Sequence, residues 1–339
     1  MLGIDISSSA VKLIELSKSA DGYKVEAYGV MQLPANIVIE KNIADIETLA
    51  DTIKKVVTRS GTKLADTVVA VSGSSVITKE IELPAGLTDL QMEMQIEVEA
   101  DQYIPYPMEE VDFDFEVLGP VEINADLVRV LLVACRQENI DHRRQALDIA
   151  GLTPKVVDIE GFAIERAYRL MEDQVGDQVV AIADIGATMF TFTVLVDGKT
   201  VYSREQLFGG KQLTEEIQRR YGLSYEEAGE AKRSGGLPKD YETEVLDPFK
   251  ESLIQHITRS LQFCYSSSQY NYIDQLFLTG GVSVLDGLVD EVEQSLGVPV
   301  VVANLVANMQ VNKLINASLL ANDGPAMMLA VGLALRSFD

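Results

Sequence analysis

Two aspartates stand at the ends of similar apolar stretches in the two halves of the chain. Asp5 ends LGID, and Asp184 ends VVAIAD. Small residues follow each aspartate: Ser7, Ser8 and Ser9 after the first, and Gly186, Ala187 and Thr188 after the second. Carboxylates orient Mg²⁺ through its bound waters, and small residues let backbone N–H groups approach phosphate oxygens. The pair predicts a Mg²⁺–phosphate site, with simple turn closure by each aspartate as the alternative.

The segments around these aspartates repeat one another. Residues 2–32 have the pattern strand, turn, strand, Asp21-Gly22 turn, strand, and residues 179–208 have the same pattern with a hairpin turn at Asp197-Gly198. A helix and a further strand then follow in each half, near 43–60 and 67–73 in the first and near 210–221 and 274–281 in the second. The duplication predicts two equivalent halves that face each other across a cleft.

A block at about 78–155 is not accounted for by the repeat. It contains a strong strand at LVRVLLVA, a helix at QENIDHRRQALDIAG and a strand at PKVVDIE. We expect a small α/β subdomain inserted into the first half.

One element of this block has conflicting signals. Met92, Met94, Ile96 and Val98 alternate with polar residues, as in a strand. Thr88-x-x-Gln91 is a capping-box helix start, and Gln, Glu, Met and Ala favour helix. We expect a helix from Thr88 to about residue 103.

Composition excludes several functions. The net charge of −24 over 339 residues repels phosphate backbones and anionic lipid, so no nucleic acid and no direct membrane adhesion are expected. Cys135 and Cys264 lie in apolar stretches and are expected to be buried thiols, while His142 and His256 stand alone, which argues against a zinc site. Without a basic start or an apolar run of about 18 residues, the chain is expected to be cytoplasmic.

Two duplicated, ribonuclease-H-like β-β-β-α-β-α halves resemble the actin, Hsp70 and sugar-kinase superfamily. The G-x-G-x-x-G and G-x-x-x-x-G-K-[ST] phosphate loops are absent from the sequence. The opening GIDISSSAVKLIEL, the segment YIPYPMEEVDFDFEVLG, then DIGAT, GGKQLT and ITRSLQFCYSSS running into LFLTGG resemble the PilM family of type IV pilus assembly proteins.

This resemblance implies an actin-like fold with an FtsA-like inserted subdomain. The first half would comprise 1–77, completed by 156–177 and the C-terminal helix 324–339. The insert would be 78–155, and the second half 178–323.

The resemblance also implies further site residues. Lys12, seven residues after Asp5, matches a phosphate-binding lysine, and Gly280-Gly281 resembles the adenosine motif. Other expected nucleotide contacts are Gly209, Gly210, Lys211 and Lys232. Gly229 stands where relatives usually have Glu, and this departure puts the ribose or adenine contact in doubt. Glu160 is the candidate for positioning an attacking water, with a role as an acid at a helix N-terminus as the alternative.

The function implied is a scaffold that binds ATP or ADP with Mg²⁺, held by Asp5 and Asp184 through water, and hydrolyses ATP slowly or not at all. It would bind the N-terminal tail of the inner-membrane protein PilN, meet other pilus motor and inner-membrane components, and reach the membrane indirectly. Self-association is left open. The alternatives are an ATP-dependent small-molecule kinase and a type II secretion cytoplasmic homologue.

Overall fold

The first part of the chain builds a three-stranded meander followed by a helix and a parallel strand. The computed structural model describes residues 1–20, 22–172 and 178–339. The elements are β1 (Leu2–Ile6), β2 (Ala10–Ser19), β3 (Gly22–Gln32), β4 (Val38–Ile39), β5 (Asn42–Ile43), α1 (Ile46–Ser60) and β6 (Asp66–Val71). The side chain of Asp45 caps the N-terminus of α1, and Gly61 ends it with a left-handed φ of 72°. Asp21 of the predicted Asp21-Gly22 turn lies outside the described residues.

A separate three-stranded sheet follows. Its elements are β7 (Val76–Pro84), α2 (Asp89–Glu99), β8 (Val111–Val121) and β9 (Asn124–Arg136), with β9 between β7 and β8. The helix expected after Thr88 is confirmed, and the capping box between Thr88 and Gln91 is formed in both directions.

The chain then returns to the first sheet through α3 (Gln137–Ile149), β10 (Thr153–Ile159) and α4 (Glu160–Glu172). Ala146 and Leu147 of α3 belong to the same core as Leu49 and Ile53 of α1. Strand β10 pairs in parallel with β6. These two elements, assigned from the sequence to the inserted block of 78–155, are attached to the first sheet instead. The separate sheet spans 76–136, and the division into domains stays a prediction, with 173–177 outside the described residues.

The second half repeats the plan of the first. Its elements are β11 (Val179–Ile185), β12 (Met189–Val196), β13 (Lys199–Leu207), α5 (Gly210–Tyr221), α6 (Tyr225–Ser234), α7 (Asp247–Ser267), β14 (Gln275–Thr279), α8 (Leu288–Leu296) and β15 (Val300–Val302). The hairpin turn at Asp197-Gly198 is confirmed, since both residues have positive φ, as a type I′ turn requires. The chain ends with β16 (Gln310–Val311), α9 (Ala317–Asp323) and α10 (Met328–Leu335).

Strand order shows the duplication directly. The first sheet runs β10-β6-β1-β2-β3-β16, and the second runs β15-β14-β11-β12-β13. In each sheet the first strand of the meander pairs antiparallel with the second and parallel with the strand that follows the helical segment. The predicted repeat is therefore confirmed at the level of topology.

Helices α4 and α10 lie between the two large sheets. One apolar core joins them to Ile14 and Val25 of the first sheet and to Val180, Ile182 and Phe277 of the second. The helices cross closely at Gly332, where a Cβ atom would lie 1.9 Å from the carbonyl oxygen of Ala163. A side chain at residue 332 would therefore force the two helices apart.

Within the described residues, no single helix has the length and apolar character needed to cross a membrane. One pair bent by 92°, Ala317–Ala326 with Met328–Leu335, meets those criteria when taken together. The expectation for the two cysteines is confirmed, because Cys135 and Cys264 are both buried free thiols.

Candidate functional site

The strands that flank the first loop, residues 7–9, carry an ion pair. Asp5 of β1 lies directly opposite Lys12 of β2 in the antiparallel register. The Lys12 Nζ donates to Asp5 Oδ2 at 2.8 Å, and the Asp5 side chain is 5% exposed. The spacing of seven residues seen in the sequence is thus the spacing that places the two side chains side by side on neighbouring strands.

The strands that flank the second loop, residues 186–188, have the same register without the lysine. Asp184 of β11 lies opposite Thr191 of β12, again seven residues later. Burial raises the pKa of Asp184, in spite of the attraction of Lys12 and Lys41. Burial also disfavours the charged form of Lys12, but attraction to Asp5 and Asp184 outweighs it and raises the pKa of Lys12. Lys12 is therefore a countercharge for both aspartates.

Hydroxyl groups from the two loops meet across the cleft. Ser8 Oγ and Thr188 Oγ1 are 2.6 Å apart. Ser7 donates through both its backbone N–H and its hydroxyl to the Ala10 carbonyl, which closes the first loop, and Ser9 accepts a hydrogen bond from Leu33 N. The structure thus brings the predicted loop residues of the two halves into direct contact.

Glycines 209 and 210 pack against the second loop. The N–H of Gly210 donates to the Gly186 carbonyl at 3.0 Å, and that of Lys211 donates to the Ala187 carbonyl at 2.7 Å. A Cβ on residue 209 would lie 2.5 Å from the Gly186 carbonyl oxygen. Lys211 contributes its backbone here, whereas its side chain extends toward Glu215 at 3.8 Å.

Lys232 lies beneath the start of α5. Its ammonium donates to the Gly210 carbonyl at 2.9 Å and to Thr214 Oγ1 at 2.7 Å. Burial lowers the pKa of Lys232 to about 8. The lysine therefore fixes the Gly209-Gly210 turn with an ammonium that loses its proton unusually easily.

Gly280 allows β14 to pass close to Asp184. Its φ of 88° is left-handed, and a Cβ there would lie 2.6 Å from Asp184 Oδ1 and 2.4 Å from the Ile185 carbonyl oxygen. By contrast, a Cβ on Gly281 would meet no atom within 4 Å. Gly280 is required by the packing of the backbone, and Gly281 leaves open space beside it.

The candidate water-positioning residue is bound to a lysine that the sequence did not indicate. Glu160 begins α4, and both of its carboxylate oxygens accept from Lys41 Nζ, at 2.9 and 2.8 Å. Burial raises the pKa of Glu160 against the opposing attraction of Lys41. Burial would lower the pKa of Lys41, but attraction to Glu160, Asp5 and Glu205 raises it. The orientation of the Glu160 carboxylate is therefore fixed by Lys41.

The turn that carries Lys41 has an unfavourable backbone conformation and is held in place by hydrogen bonds from another element. Glu40 and Lys41 both have positive φ, 48° and 69°, in the β4–β5 hairpin. The buried side chain of Arg143 on α3 donates to the carbonyl oxygens of Lys41, Ala70 and Asn139. This turn could not be recognised in the sequence, since neither of its two residues is Gly or Asn.

A further contact across the cleft joins Ser74 and Glu205, whose Oγ and Oε2 atoms are 2.7 Å apart. Glu205 lies on β13, and sequence reasoning missed it as well. No group of three or more His, Cys, Asp or Glu side chains suited to a metal ion occurs in the part of the chain that the structure describes. A cation here would therefore depend on one or two carboxylates together with ligands from a phosphate, which is the habit of Mg²⁺.

Comparison with solved structures defines the fold class. The ethanolamine utilization protein EutJ from Carboxydothermus hydrogenoformans is 16% identical, with a TM-score of 0.58 over 98% of this chain and 88% of that chain. A structure described as a PilM-PilN type IV pilus biogenesis complex is 31% identical, with a TM-score of 0.80 over 100% of this chain and 98% of that chain. The molecule has the actin-like α/β fold that was expected, with an inserted α/β subdomain.

The sequence profile of the type IV pilus assembly protein PilM family matches residues 3–338. The chain belongs to this family. These matches do not favour the small-molecule kinase or the type II secretion homologue.

Proposed function

We propose that this protein is an ATP-holding scaffold of type IV pilus assembly, which binds the cytoplasmic tail of a PilN-type inner-membrane protein and so reaches the membrane through its partner. The single observation that carries the nucleotide half of this proposal is the Asp5–Lys12–Asp184 cluster between two phosphate loops. The structure of a relative described as a PilM-PilN complex supports the partner half.

The donor set fits a Mg²⁺–nucleotide. Asp5 and Asp184 supply two carboxylates to orient the ion through its waters, and Lys12 supplies positive charge for a phosphate. Small loops provide N–H and hydroxyl donors without bulk, and Gly281 leaves open space at the side assigned to adenosine. Bound Mg²⁺ would partly neutralise the negative charges of the Asp5 and Asp184 carboxylates.

The hydrogen bonds of Glu160 with Lys41 support slow or absent hydrolysis of ATP. Charge-assisted hydrogen bonds from Lys41 to both carboxylate oxygens fix the orientation of Glu160 and leave only its remaining lone pairs for a water molecule. We expect turnover far below about 1 s⁻¹, the low end of ordinary enzymes. Turnover at or above that rate in the isolated protein, abolished in Glu160→Gln, would contradict the scaffold role.

The tail site is proposed at the edge of the separate sheet. Within the described part of the chain, strand β8 pairs only with β9, so its other edge can accept an extended peptide. A groove of ≈ 410 Å³ lies where this sheet meets α3, and Arg136, His142 and four acidic side chains are in its lining: Glu109, Glu110, Glu138 and Asp141. These acidic side chains, together with Asp112 and Asp114 on β8, suit a tail with flanking basic residues.

Calorimetric titration of ATP with and without Mg²⁺ tests the nucleotide site. Wild type should bind ATP more tightly with Mg²⁺, and its melting temperature should rise with ligand, because binding only the folded state stabilises it. In Asp5→Asn and Asp184→Asn the Mg²⁺ effect should fall, whereas Asp51→Asn, on the exposed face of α1, should behave as wild type. Unchanged metal response in both site variants would remove the two-aspartate site.

Titration with a PilN-type tail peptide tests the partner site. Val76 pairs with Cys135 in the β7–β9 register, so the two ends of the separate sheet are adjacent and a short linker can replace 76–136. This variant should lose the peptide while still binding ATP, which serves as its folding control. Equal peptide affinity in the variant and the full chain would place the tail elsewhere.

A further inference from the structure

Helix α2 carries apolar residues on two opposite faces. Leu90, Met92, Met94, Ile96 and Val98 alternate with polar residues, which looked strand-like in the sequence. In a helix each residue turns by about 100°, so residues two apart lie about 200° apart and point in opposite directions. The alternation therefore divides the apolar residues between an inner and an outer face.

The apolar residues of the inner face pack against the three-stranded sheet. Met92 and Ile96 are buried against Ile81, Leu83 and Leu132 of the three-stranded sheet. The outer face remains in solvent, with Leu90 65% exposed, Met94 59% and Val98 86%. These three residues, spaced four apart, form one row along the helix, which we call the outer stripe. Nothing in the packing of the described chain requires it to be apolar.

Acidic residues flank the outer stripe. Asp89, Glu93 and Glu97 precede its members by one residue each, and all three are exposed. Glu93 and Glu97 therefore lie beside the stripe along one side of the helix. The sequence of α2, DLQMEMQIEVE, contains no Lys or Arg.

We propose that the outer stripe is a docking surface for a basic amphipathic helix of a partner protein. Apolar residues at i, i+4 and i+8 match the spacing by which helices pack side by side. The partner helix would present an apolar row with Lys or Arg along the side that meets Glu93 and Glu97. Charge complementarity would set its orientation and its salt dependence.

Charge also argues against two other occupants. A second copy of α2 would place Glu93 and Glu97 against like charges, and no basic residue of α2 is there to relieve them. An anionic lipid surface would be repelled by the same side chains and by the net charge of −24. The outer stripe is also distinct from the β8 edge proposed for the tail peptide, so failure at either surface leaves the other intact.

The test uses the full chain and a stapled helical peptide of about 15 residues with a Leu row flanked by Lys. A matched peptide with Glu in place of every Lys is the charge control. We expect the Lys peptide to bind, and the Met94→Ser/Val98→Ser variant to weaken it at least about tenfold. Leu314→Ser, which alters a residue that is 94% exposed elsewhere, should bind as wild type.

Charge reversal provides the second arm. Glu93→Lys/Glu97→Lys should lose the Lys peptide and gain the Glu peptide. Equal binding of both peptides to wild type, or equal loss in Leu314→Ser and the stripe variant, would overturn the proposal. So would self-association or anionic-vesicle binding that depends on Met94.

Photo-crosslinking from residue 94 in cells then examines the native occupant. The captured segment should carry apolar residues at helical spacing together with Lys or Arg, and the Glu93→Lys/Glu97→Lys background should lose it. Capture of a segment without that pattern, capture of this chain itself, or no capture at all would contradict the proposed occupant.

Discussion

The loops that follow Asp5 and Asp184 occupy equivalent places in a repeated sheet, yet the two aspartates have different partners. Asp5 faces Lys12, and Asp184 faces Thr191, at the same offset of seven residues on the neighbouring strand. The two halves thus share the same backbone geometry, but only the first half carries a lysine opposite its aspartate. One lysine serves two carboxylates, and the second carboxylate has a raised pKa as a result of its burial.

Because of this difference, we expect Asp5 to contribute to folding and Asp184 to contribute mainly to ligand binding. The Asp5–Lys12 pair is complete within the first half, so removing either member should cost stability in the free protein. Asp184 is partly buried and, among the residues that the structure describes, has no ion-pair partner in its own half, so its charge opposes folding and is stabilised only when a cation binds. Three substitutions test this ranking.

Lys12→Thr, which copies the second loop into the first, should have the largest effect. It removes the countercharge of both buried aspartates, and breaking a buried ion pair costs about 3–5 kcal/mol. Denaturant unfolding at neutral pH measures the loss. Exposed Lys63→Thr is the matched control and should change stability by less than about 0.5 kcal/mol. An equally small loss in Lys12→Thr would show that the cluster is hydrated rather than coupled.

Asp5→Asn should have an intermediate effect. The amide oxygen still accepts from Lys12, and Asp184 still attracts the ammonium, so only the extra strength of a charged hydrogen bond is lost. That difference is about 1 kcal/mol, because a hydrogen bond to a charged group contributes about 1.5–3 kcal/mol and a neutral one about 0.5–1.5 kcal/mol. The same unfolding experiment applies, and the Lys12→Thr/Asp5→Asn double variant should be more stable than Lys12→Thr alone. A double variant whose losses simply add would refute coupling between the two side chains.

Sequence reasoning located these loops because their signals are local and occur twice. A strand-end Asp followed by small residues can be recognised without knowing the fold, and the repeat places both examples at one cleft. Lys12 was indicated by the resemblance to a phosphate-binding lysine seven residues after the aspartate, and the antiparallel register brings it into contact with Asp5. The equivalent order of the strands in the two sheets is consistent with the same duplication.

The missed residues depend on contacts between distant segments. Lys41 reaches Glu160 only because the β4–β5 turn adopts positive φ in two residues that are neither Gly nor Asn, and Arg143 holds that turn from α3. The attachment of α3 and β10 to the first sheet was not visible in the sequence for a related reason. Apolar patterns show that α3 and β10 exist, but not which sheet they join. In α2 the alternation of apolar and polar residues reflects two apolar faces on one helix. A test for helical periodicity assumes a single apolar face.

Asp184→Asn should have the smallest effect on stability, and its sign should be opposite. A carboxyl group whose pKa is raised by folding stabilises the native state below the ordinary aspartate pKa of about 3.9, and this contribution is lost as pH rises through the folded pKa. Wild type should therefore lose stability relative to Asp184→Asn as pH rises through that window, leaving the variant equal or slightly more stable at neutral pH. Thr191→Lys, which gives Asp184 its own ammonium, should lower the pKa of Asp184 and flatten the pH dependence. The contrary result is that Asp184→Asn lowers the free energy of unfolding at neutral pH as much as Asp5→Asn does, with no change across the pH range. The two loops would then be equivalent, and the asymmetry of charge would have no role in folding.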